Sequence, residues 1–270
     1  MTEIDSAKVN QYWEAAAPSI LGPYMMDGFG FPSSAGGFRL WAESRIVRRL
    51  TRGVKRDATV LDLGSGVGFW AEEFAGRFSR VVAVEDSETL YRALERRCAP
   101  YSNIRPVHGN VMSFEPDGGT DLIFLGGLLM YLNEEDVIAL LRRLVPFLEP
   151  GGMILCREST VRGDTVVRRG DYQVVYRSVP DYRRIFGQCG LRIRHVERNE
   201  PYVLMQMGCE LVKTWKDSVP ERFQALRGIG HLTYFMFRLG NPWITRVPKF
   251  LGIPFPKLEN HFFVLEPGIS

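Results

Sequence analysis

The chain has 270 residues, of which 45% are hydrophobic and 24% are charged. These fractions exclude a disordered or fibrous chain. The 34 basic and 31 acidic residues leave a formal charge of +3, too balanced to indicate a nucleic-acid partner. The four cysteines are far apart and have no metal-ligand spacing, so we expect reduced thiols and no metal site.

Residues 1–52 are predicted to form two helices and a flap. Helical patterns cover 5–17 and 38–52. The segment between them is rich in glycine, proline and aromatic residues and fits no regular element. The chain begins without an apolar signal segment and has no run of about 18 apolar residues, so we expect a cytoplasmic protein.

From 53 to 199, short apolar runs alternate with helical patterns, which is typical of a parallel sheet covered by helices on both faces. Helices are expected at 68–77, 87–98, 134–147 and 180–189. The predicted strands are Thr59–Leu63, Arg80–Glu85, Ile104–His108, Leu122–Leu125, Met153–Arg157, Leu191–Glu197 and His261–Glu266, the last within a final segment, 259–270. The sequence therefore predicts an α/β fold with a seven-stranded, Rossmann-like sheet.

About sixty residues, 200–258, separate the last two predicted strands, far more than usually connect neighbouring strands. The segment includes the apolar stretch Leu232–Leu239. We interpret it as a lid or substrate-pocket insertion. A dimer surface and a membrane-facing patch are the alternatives, so monomer and homodimer both stay open.

The first predicted strand runs into a glycine-rich turn, Asp62-Leu63-Gly64-Ser65-Gly66-Val67-Gly68. Glycines permit a tight turn and let a ligand approach the backbone. Dinucleotide dehydrogenases use a similar turn, so this feature alone does not identify the ligand.

Polar residues follow the next two strands. Glu85 ends the second strand, about 20 residues after the glycines, where an acid can accept hydrogen bonds from both hydroxyls of a ribose. Asp86 is the alternative, because a shift of one residue moves the side chain to the opposite face of the strand. Asn110 and Val111 follow the third strand and suit the amino group and the face of an adenine.

Glycines also mark the fourth and fifth strands. Leu125-Gly126-Gly127 ends the fourth, and its glycines leave room for a ligand. Pro150-Gly151-Gly152 precedes the fifth. In this order and over residues 59–158, these features resemble the motif series of class I S-adenosylmethionine-dependent methyltransferases.

The resemblance implies an enzyme with S-adenosylmethionine as its cofactor. Asp62 would orient the turn, and Glu85 would bind the ribose. The other implied cofactor residues are Gly64, Ser65, Gly66 and Gly68 at the methionine end, Asn110 and Val111 at the adenine, and Leu125 and Gly126 at the end of the fourth strand.

The flanking segments are similar to those of protein N-terminal (alpha-amino) methyltransferases at Tyr12-Trp13, at residues 25–30 and at Tyr176-Arg177. The chain differs from that family at the positions that carry the family's chemistry. Where the family has Asp-Asn after the fifth strand and His after the fourth, this chain has Glu158-Ser159 and Tyr131. Tyr172 lies near the position of the family's catalytic aspartate, and Phe69 replaces the family's cofactor-binding Arg. The strand end 157–159 and Tyr176-Arg177 also resemble small-molecule methyltransferases, including phosphobase enzymes. We therefore expect an N or O atom of a small molecule as the acceptor. A lipid or lipid-linked acceptor and a protein N-terminal amine are the alternatives.

Methyl transfer requires alignment and exclusion of water, and a base only where the acceptor must lose a proton. Glu158, at the rim of the sheet, is a candidate base or cation partner, with an arginine salt bridge as the alternative. His231 and Tyr131 are the other catalytic candidates. Aromatic faces suit a sulfonium or a substrate cation. The residues expected around the cofactor methyl group and the substrate are Trp13, Tyr24, Phe29, Tyr172, Tyr176 and Arg177.

Overall fold

The structure is a computed structural model, which describes residues 3–16, 31–220, 224, 227–241, 243–253 and 255–268. The chain divides into two compact units. The first, here called the core unit, comprises residues 1–18, 50–197 and 261–270. The second, here called the helical unit, comprises residues 19–49 and 198–260.

The described elements follow one another in an α/β order. The helices are α1 Ser6–Glu14, α2 Ser34–Leu50, α3 Phe69–Ala75, α4 Glu88–Cys98, α5 Glu134–Leu144, α6 Val179–Gln188, α7 Glu200–Ser218, α8 Arg227–Gly240 and α9 Trp243–Phe250, with short 3-10 helices at Leu129–Tyr131 and Val145–Phe147. The strands are β1 Thr59–Leu63, β2 Arg80–Glu85, β3 Ile104–His108, β4 Thr120–Leu125, β5 Leu148–Val161, β6 Val166–Arg168, β7 Val174–Ser178, β8 Leu191–Arg198 and β9 Glu259–Pro267.

The strands form one sheet in the order β3-β2-β1-β4-β5-β7-β6, and β9 pairs with both β5 and β8. Strands β1 to β5 are parallel, and Leu63 at the end of β1 lies opposite Val84 of β2 and Leu125 of β4. The chain builds one half of the sheet from β1 to β3 and then returns to place β4 on the other side of β1. Ligands bind at such a reversal, beyond the carboxyl ends of the strands.

Helix α5 shows why these segments fold as they do. Its first turn carries three acidic residues and its last turn two arginines, which complement the helix dipole. Val137, Leu140, Leu141 and Leu144 recur at helical spacing and are fully buried. They join the main core, which also contains inward-facing residues of β1, β4, β5 and β9.

The helical unit has its own apolar contacts. Val203, Leu204 and Met207 of α7 pack against Phe237 of α8. A buried polar network supports the unit, because the fully buried Glu43 accepts hydrogen bonds from Arg39 at 2.9 Å and from Asn199 at 2.8 Å.

The predicted α/β class with a Rossmann-like sheet is confirmed, and β1, β2 and β3 have the predicted bounds. Besides the seven predicted strands, the sheet contains β6 and β7, an antiparallel pair that the sequence pattern did not indicate. Strand β5 extends through Val161, beyond its predicted end, because the polar run 157–160 is buried in it rather than exposed after it. Residues 200–258 do form an insertion of helices between β8 and β9, while their role as a lid stays a prediction.

Candidate functional site

The glycine turn after β1 adopts backbone angles that favour glycine. Gly64, Gly66 and Gly68 have φ of +69°, +56° and +88°. A Cβ on Gly68 would lie 2.7 Å from Leu94 Cδ1, so packing against α4 requires glycine there. A Cβ on Gly66 would meet no atom within 4 Å. The backbone at Gly66 is therefore open to a ligand.

Glu85 is tied to this turn. Its Oε2 accepts a hydrogen bond from the Gly66 N–H at 2.8 Å, and its Oε1 accepts one from the Ser87 N–H at 3.1 Å. Burial raises the pKa of this carboxyl, while the two backbone donors favour its charged form. The structure thus places the predicted ribose acid directly beside Gly66.

Asp62 lies beneath the turn and is 1% exposed. Its backbone carbonyl accepts a hydrogen bond from Ser65 Oγ at 2.8 Å. The side-chain Oδ2 has no hydrogen-bond partner among the described residues. Burial raises the pKa of this carboxyl to about 7. Asp62 is thus a buried carboxyl in the strand that leads directly into the glycine turn.

Asn110 and Asp86 connect the ends of β2 and β3. Asn110 Nδ2 donates to Asp86 Oδ2 at 2.8 Å, and Asn110 Oδ1 accepts from the Met112 N–H at 2.8 Å. Val111 is buried in the main core. Asp86, the alternative to Glu85, is therefore held by Asn110, whereas Glu85 contacts the turn.

Helix α1 contacts loops on both sides of β1. At its beginning, Ile4 N–H donates to Asn133 Oδ1 at 2.9 Å, beyond the end of β4. At its end, Ser87 Oγ donates to the Trp13 carbonyl at 3.3 Å, and Glu14 accepts from the Glu88 N–H at 3.0 Å, beyond the end of β2. The sheet order is β2-β1-β4, so α1 bridges the two loops that flank the glycine turn.

An aromatic cluster, comprising Tyr12, Trp13, Tyr131 and Tyr172, lies where α1 meets the end of β4. The hydroxyls of Tyr131 and Tyr172 are 2.8 Å apart. The rings of Trp13 and Tyr131 meet edge to face at 5.2 Å, as do those of Tyr12 and Tyr172 at 5.0 Å. Burial raises the pKa of Tyr131 well above its ordinary value, so this hydroxyl stays neutral. Three of the predicted site residues, Trp13, Tyr131 and Tyr172, thus lie together.

Glu158 and Arg177 hold the backbone of the 3-10 helix that carries Tyr131. Glu158 accepts hydrogen bonds from the N–H groups of Leu129 at 3.0 Å and Met130 at 3.3 Å. Arg177 donates to the carbonyls of Leu129 at 2.8 Å and Leu132 at 2.7 Å. Glu158 is fully buried, which raises its pKa to about 7. The carboxyl therefore binds two backbone donors, which the sequence did not indicate, and the nearby charges of Arg157 and Arg177 act to lower its pKa.

The remaining predicted residues lie at the end of β4, in β7 or in the helical unit, or fall outside the described residues. His231 belongs to α8 of the helical unit and is exposed. Leu125 is fully buried in the core, and the Gly126 carbonyl accepts from Arg157 at 3.4 Å. Tyr176 lies in β7, hydrogen-bonds Tyr172 of the aromatic cluster, and has a pKa that burial raises. Tyr24 and Phe29 fall outside the described residues, and within those residues no group of side chains is placed to hold a metal ion.

Sequence reasoning missed residues that position the site. Asn133 bonds both the N–H and the carbonyl of Ile4, at 2.9 and 3.1 Å. An asparagine before the acidic first turn of α5 was a recognisable start signal for a helix, although not for this contact. Gln173, which accepts from the Asp5 N–H at 2.8 Å, carried no signal in the sequence.

Residues 60–152 match the family described as Methyltransferase domain. The chain is 34% identical over 135 residues to phosphoethanolamine N-methyltransferase 1 of Triticum aestivum, a match that covers 48% of this chain and 27% of that protein. It is 24% identical to alpha N-terminal protein methyltransferase 1 of Arabidopsis thaliana, over 67% of this chain and 69% of that protein. The chain spans less than a third of the length of the phosphoethanolamine N-methyltransferases that it matches.

Solved structures share the fold. An S-adenosylmethionine-dependent methyltransferase of Leishmania major is 14% identical, with a TM-score of 0.65, and the match covers 97% of this chain and 82% of that one. A coclaurine N-methyltransferase bound to N-methylheliamine and S-adenosylhomocysteine is 11% identical, with a TM-score of 0.61, over 97% of this chain and 85% of that one. At these identities the likeness is one of fold.

Proposed function

We propose that this chain, which carries a class I S-adenosylmethionine-dependent methyltransferase domain, transfers a methyl group to a nitrogen or oxygen atom of a small molecule. An amine nitrogen is the better-supported acceptor. The open glycine turn at Gly66, whose N–H is bonded to the buried carboxyl of Glu85, is the observation that carries this proposal.

The described residues fit the cofactor. S-adenosylmethionine supplies a methyl group on a sulfonium, and it carries an ammonium and a ribose besides. Gly66 leaves space for a ligand against the backbone, because no atom of the described residues lies within 4 Å of a Cβ placed there. Glu85 provides a buried acidic acceptor bonded to the Gly66 N–H, and Asp62 provides a second buried carboxyl in the strand that leads into the turn. Acidic groups stabilise a bound cation more strongly in a buried site than in water.

The aromatic cluster supports an amine as the acceptor. Aromatic faces attract the sulfonium of the donor and the ammonium that forms when a neutral amine is methylated. Arg168, whose guanidinium lies 5.2 Å above the Tyr172 ring, shows that one face of the cluster already accommodates a cation. The curated relatives include phosphoethanolamine N-methyltransferases, whose name specifies nitrogen as the methylated atom.

The two candidate bases of the core unit are occupied with other partners. Glu158 binds two backbone N–H groups and is fully buried. The Tyr131 hydroxyl pairs with Tyr172 and is neutral. A neutral amine brings its own lone pair and needs no base for the transfer itself, whereas an alcohol gains from one. The arrangement therefore favours nitrogen.

The residues of the chain would act mainly by positioning. The glycine turn and Glu85 would hold the donor, and α1 would shield the edge of the sheet from water. Glu158 and Arg177 would fix the turn that carries Tyr131 and thereby keep the aromatic cluster aligned with the reacting atoms. Alignment of this kind contributes several kcal/mol to catalysis, on the order of 7 or more in favourable cases. The proton of the methylated ammonium would leave to solvent.

Two measurements test the proposal. Isothermal titration with S-adenosylmethionine should show binding. The absence of heat at millimolar protein and ligand would refute the proposal that the chain is a methyltransferase. Mass spectrometry should then detect S-adenosylhomocysteine with acceptors supplied as pairs that differ only in an amine or a hydroxyl group, such as phenethylamine and phenethyl alcohol.

The acceptor pairs separate the alternatives. Turnover confined to the amines supports the proposal, and turnover confined to the alcohols would contradict nitrogen as the acceptor atom. A short peptide with a free alpha-amino group is the third substrate class in the same assay. Faster turnover of the peptide than of every small amine would indicate that protein N-termini are the substrates.

A further inference from the structure

Helix α8 exposes an apolar face. Leu232, Phe235, Met236 and Leu239 recur at the spacing of one helical face, and all four are exposed, Leu239 by 85%. The opposite face is packed, because Phe237 is buried against α7. The exposed residues are therefore additional to those that hold the helix in place.

Helix α9 repeats this arrangement. Trp243, Val247 and Phe250 lie at i, i+4 and i+7, and Trp243 and Phe250 are 73% and 90% exposed. Ile244 and Thr245 face the interior of the helical unit instead. Proteins rarely expose so many large apolar side chains without a partner. We refer to Leu232, Phe235, Met236, Leu239, Trp243, Val247 and Phe250 as the apolar surface.

The segment that carries the apolar surface is strongly basic. Residues 222–258 contain no Asp or Glu and six basic residues, which are Arg222, Arg227, Arg238, Arg246, Lys249 and Lys257. The other residues of the chain have 28 basic and 31 acidic side chains, a net charge of −3. The positive charge is thus concentrated in the segment with the exposed apolar residues. Arg246, between Trp243 and Phe250, is itself exposed.

The charge restricts the partner. In a symmetric dimer through this surface, the basic segments of two copies would face each other, which is unfavourable. No described helix is long and apolar enough to cross a membrane. A partner with negative charge at its surface and apolar material beneath it complements both properties, and a bilayer with anionic headgroups has this chemistry.

We propose that the apolar surface binds an anionic phospholipid membrane. Trp243 and Phe250 enter the boundary between headgroups and acyl chains, a region in which tryptophan is enriched in membrane proteins. Arg246 and its basic neighbours contact the headgroups. This inference does not depend on the methyl transfer proposed above, because it uses the surface of the helical unit alone.

Flotation of the full chain with phosphatidylcholine vesicles, with and without phosphatidylserine, tests the inference. We expect the protein to float with the vesicles that contain phosphatidylserine, and to do so less as salt rises, because screening weakens the attraction. The triple variant Leu239→Ser, Trp243→Ser and Phe250→Ser should remain at the bottom of the gradient. A matched triple variant, Trp41→Ser, Val166→Ser and Leu211→Ser, also removes exposed apolar side chains and should float like the wild type.

A charge variant provides a second readout. Arg246→Gln should weaken binding to the phosphatidylserine vesicles about fivefold, whereas Arg96→Gln, at an exposed position of α4, should leave it unchanged. Circular dichroism melting should show that all variants are folded, since every changed residue is exposed.

Three results would overturn the inference. One is a wild-type protein that does not float with anionic vesicles, or that floats equally with neutral ones. Another is equal flotation of the wild type and the Leu239, Trp243 and Phe250 triple variant. The third is a dimer in light scattering that this triple variant dissociates, which would assign the apolar surface to a second copy of the chain.

Discussion

Replacing Glu158 by glutamine should change how the stability of the protein depends on pH. The wild-type carboxyl is fully buried, and its pKa is raised to about 7 from 4.5. Between these two values the folded protein holds a proton that the unfolded chain has released. Raising the pH through this range therefore favours unfolding, and the stabilisation present in acid is lost as the pH passes about 7. Glutamine resembles the protonated acid and does not titrate.

The size of the effect follows from the two pKa values. Each tenfold difference in ionisation constant is worth about 1.4 kcal/mol, so the burial of Glu158 costs about 3 kcal/mol at high pH. The unfolded chain is already largely ionised at about pH 5.5. Roughly 2 kcal/mol of the cost therefore falls between about pH 5.5 and about pH 8.

Urea denaturation at these two pH values measures the effect. The loss in the free energy of unfolding from the lower to the higher pH should be about 2 kcal/mol larger in the wild type than in Glu158→Gln. Asp62 titrates in both proteins and cancels from this comparison. Glu115→Gln, at an exposed position, should lose as much stability as the wild type. An equal loss in the wild type and Glu158→Gln would refute the description of Glu158 as a buried group that ionises near neutral pH.

Four further substitutions, of which Gly151→Ala is a control, test the cofactor site and the aromatic cluster. Gly66→Ala and Gly151→Ala both introduce a Cβ at positive φ with no atom within 4 Å, and should cost about 1 kcal/mol of stability each. Isothermal titration should show that only Gly66→Ala weakens S-adenosylmethionine binding, by about tenfold or more. Equal affinities in the two variants would show that the glycine turn is not part of the cofactor site. The same titration should show wild-type affinity rising with pH through about 7, because ionised Asp62 attracts the cation, and Asp62→Asn should flatten that rise. Tyr131→Phe removes one neutral hydrogen bond and should cost about 1 kcal/mol of stability while the turnover of amines stays near that of the wild type. A loss of turnover by a hundredfold or more, typical of a missing acid or base, would make Tyr131 a catalytic residue.

Much of the fold and of the cofactor site followed from the sequence, because each signal lies within a short window. The alternation of apolar runs and helical patterns predicted β1 to β5 in order. The glycines at 64, 66 and 68 indicated the turn, since their backbone angles exclude most other residues. The position of Glu85 at the end of β2 predicted that its carboxyl would lie near the glycine turn. Its contact with the Gly66 N–H agrees with that expectation, because parallel strands bring their carboxyl ends to one edge of the sheet.

Only the tertiary structure showed what the polar residues beyond this framework contact. Glu158 could be a base or the partner of an arginine when only the sequence was considered, and the structure pairs it with backbone N–H groups 28 and 29 residues earlier in the chain. Ile4 and Asn133 are 129 residues apart, and no periodicity encodes their pairing. The sequence likewise showed that Leu232–Leu239 is apolar, but it did not distinguish the packed face of α8 from the exposed one. Local pattern determines the type of element and the demands on its backbone, whereas burial and long-range partners depend on how the elements pack together.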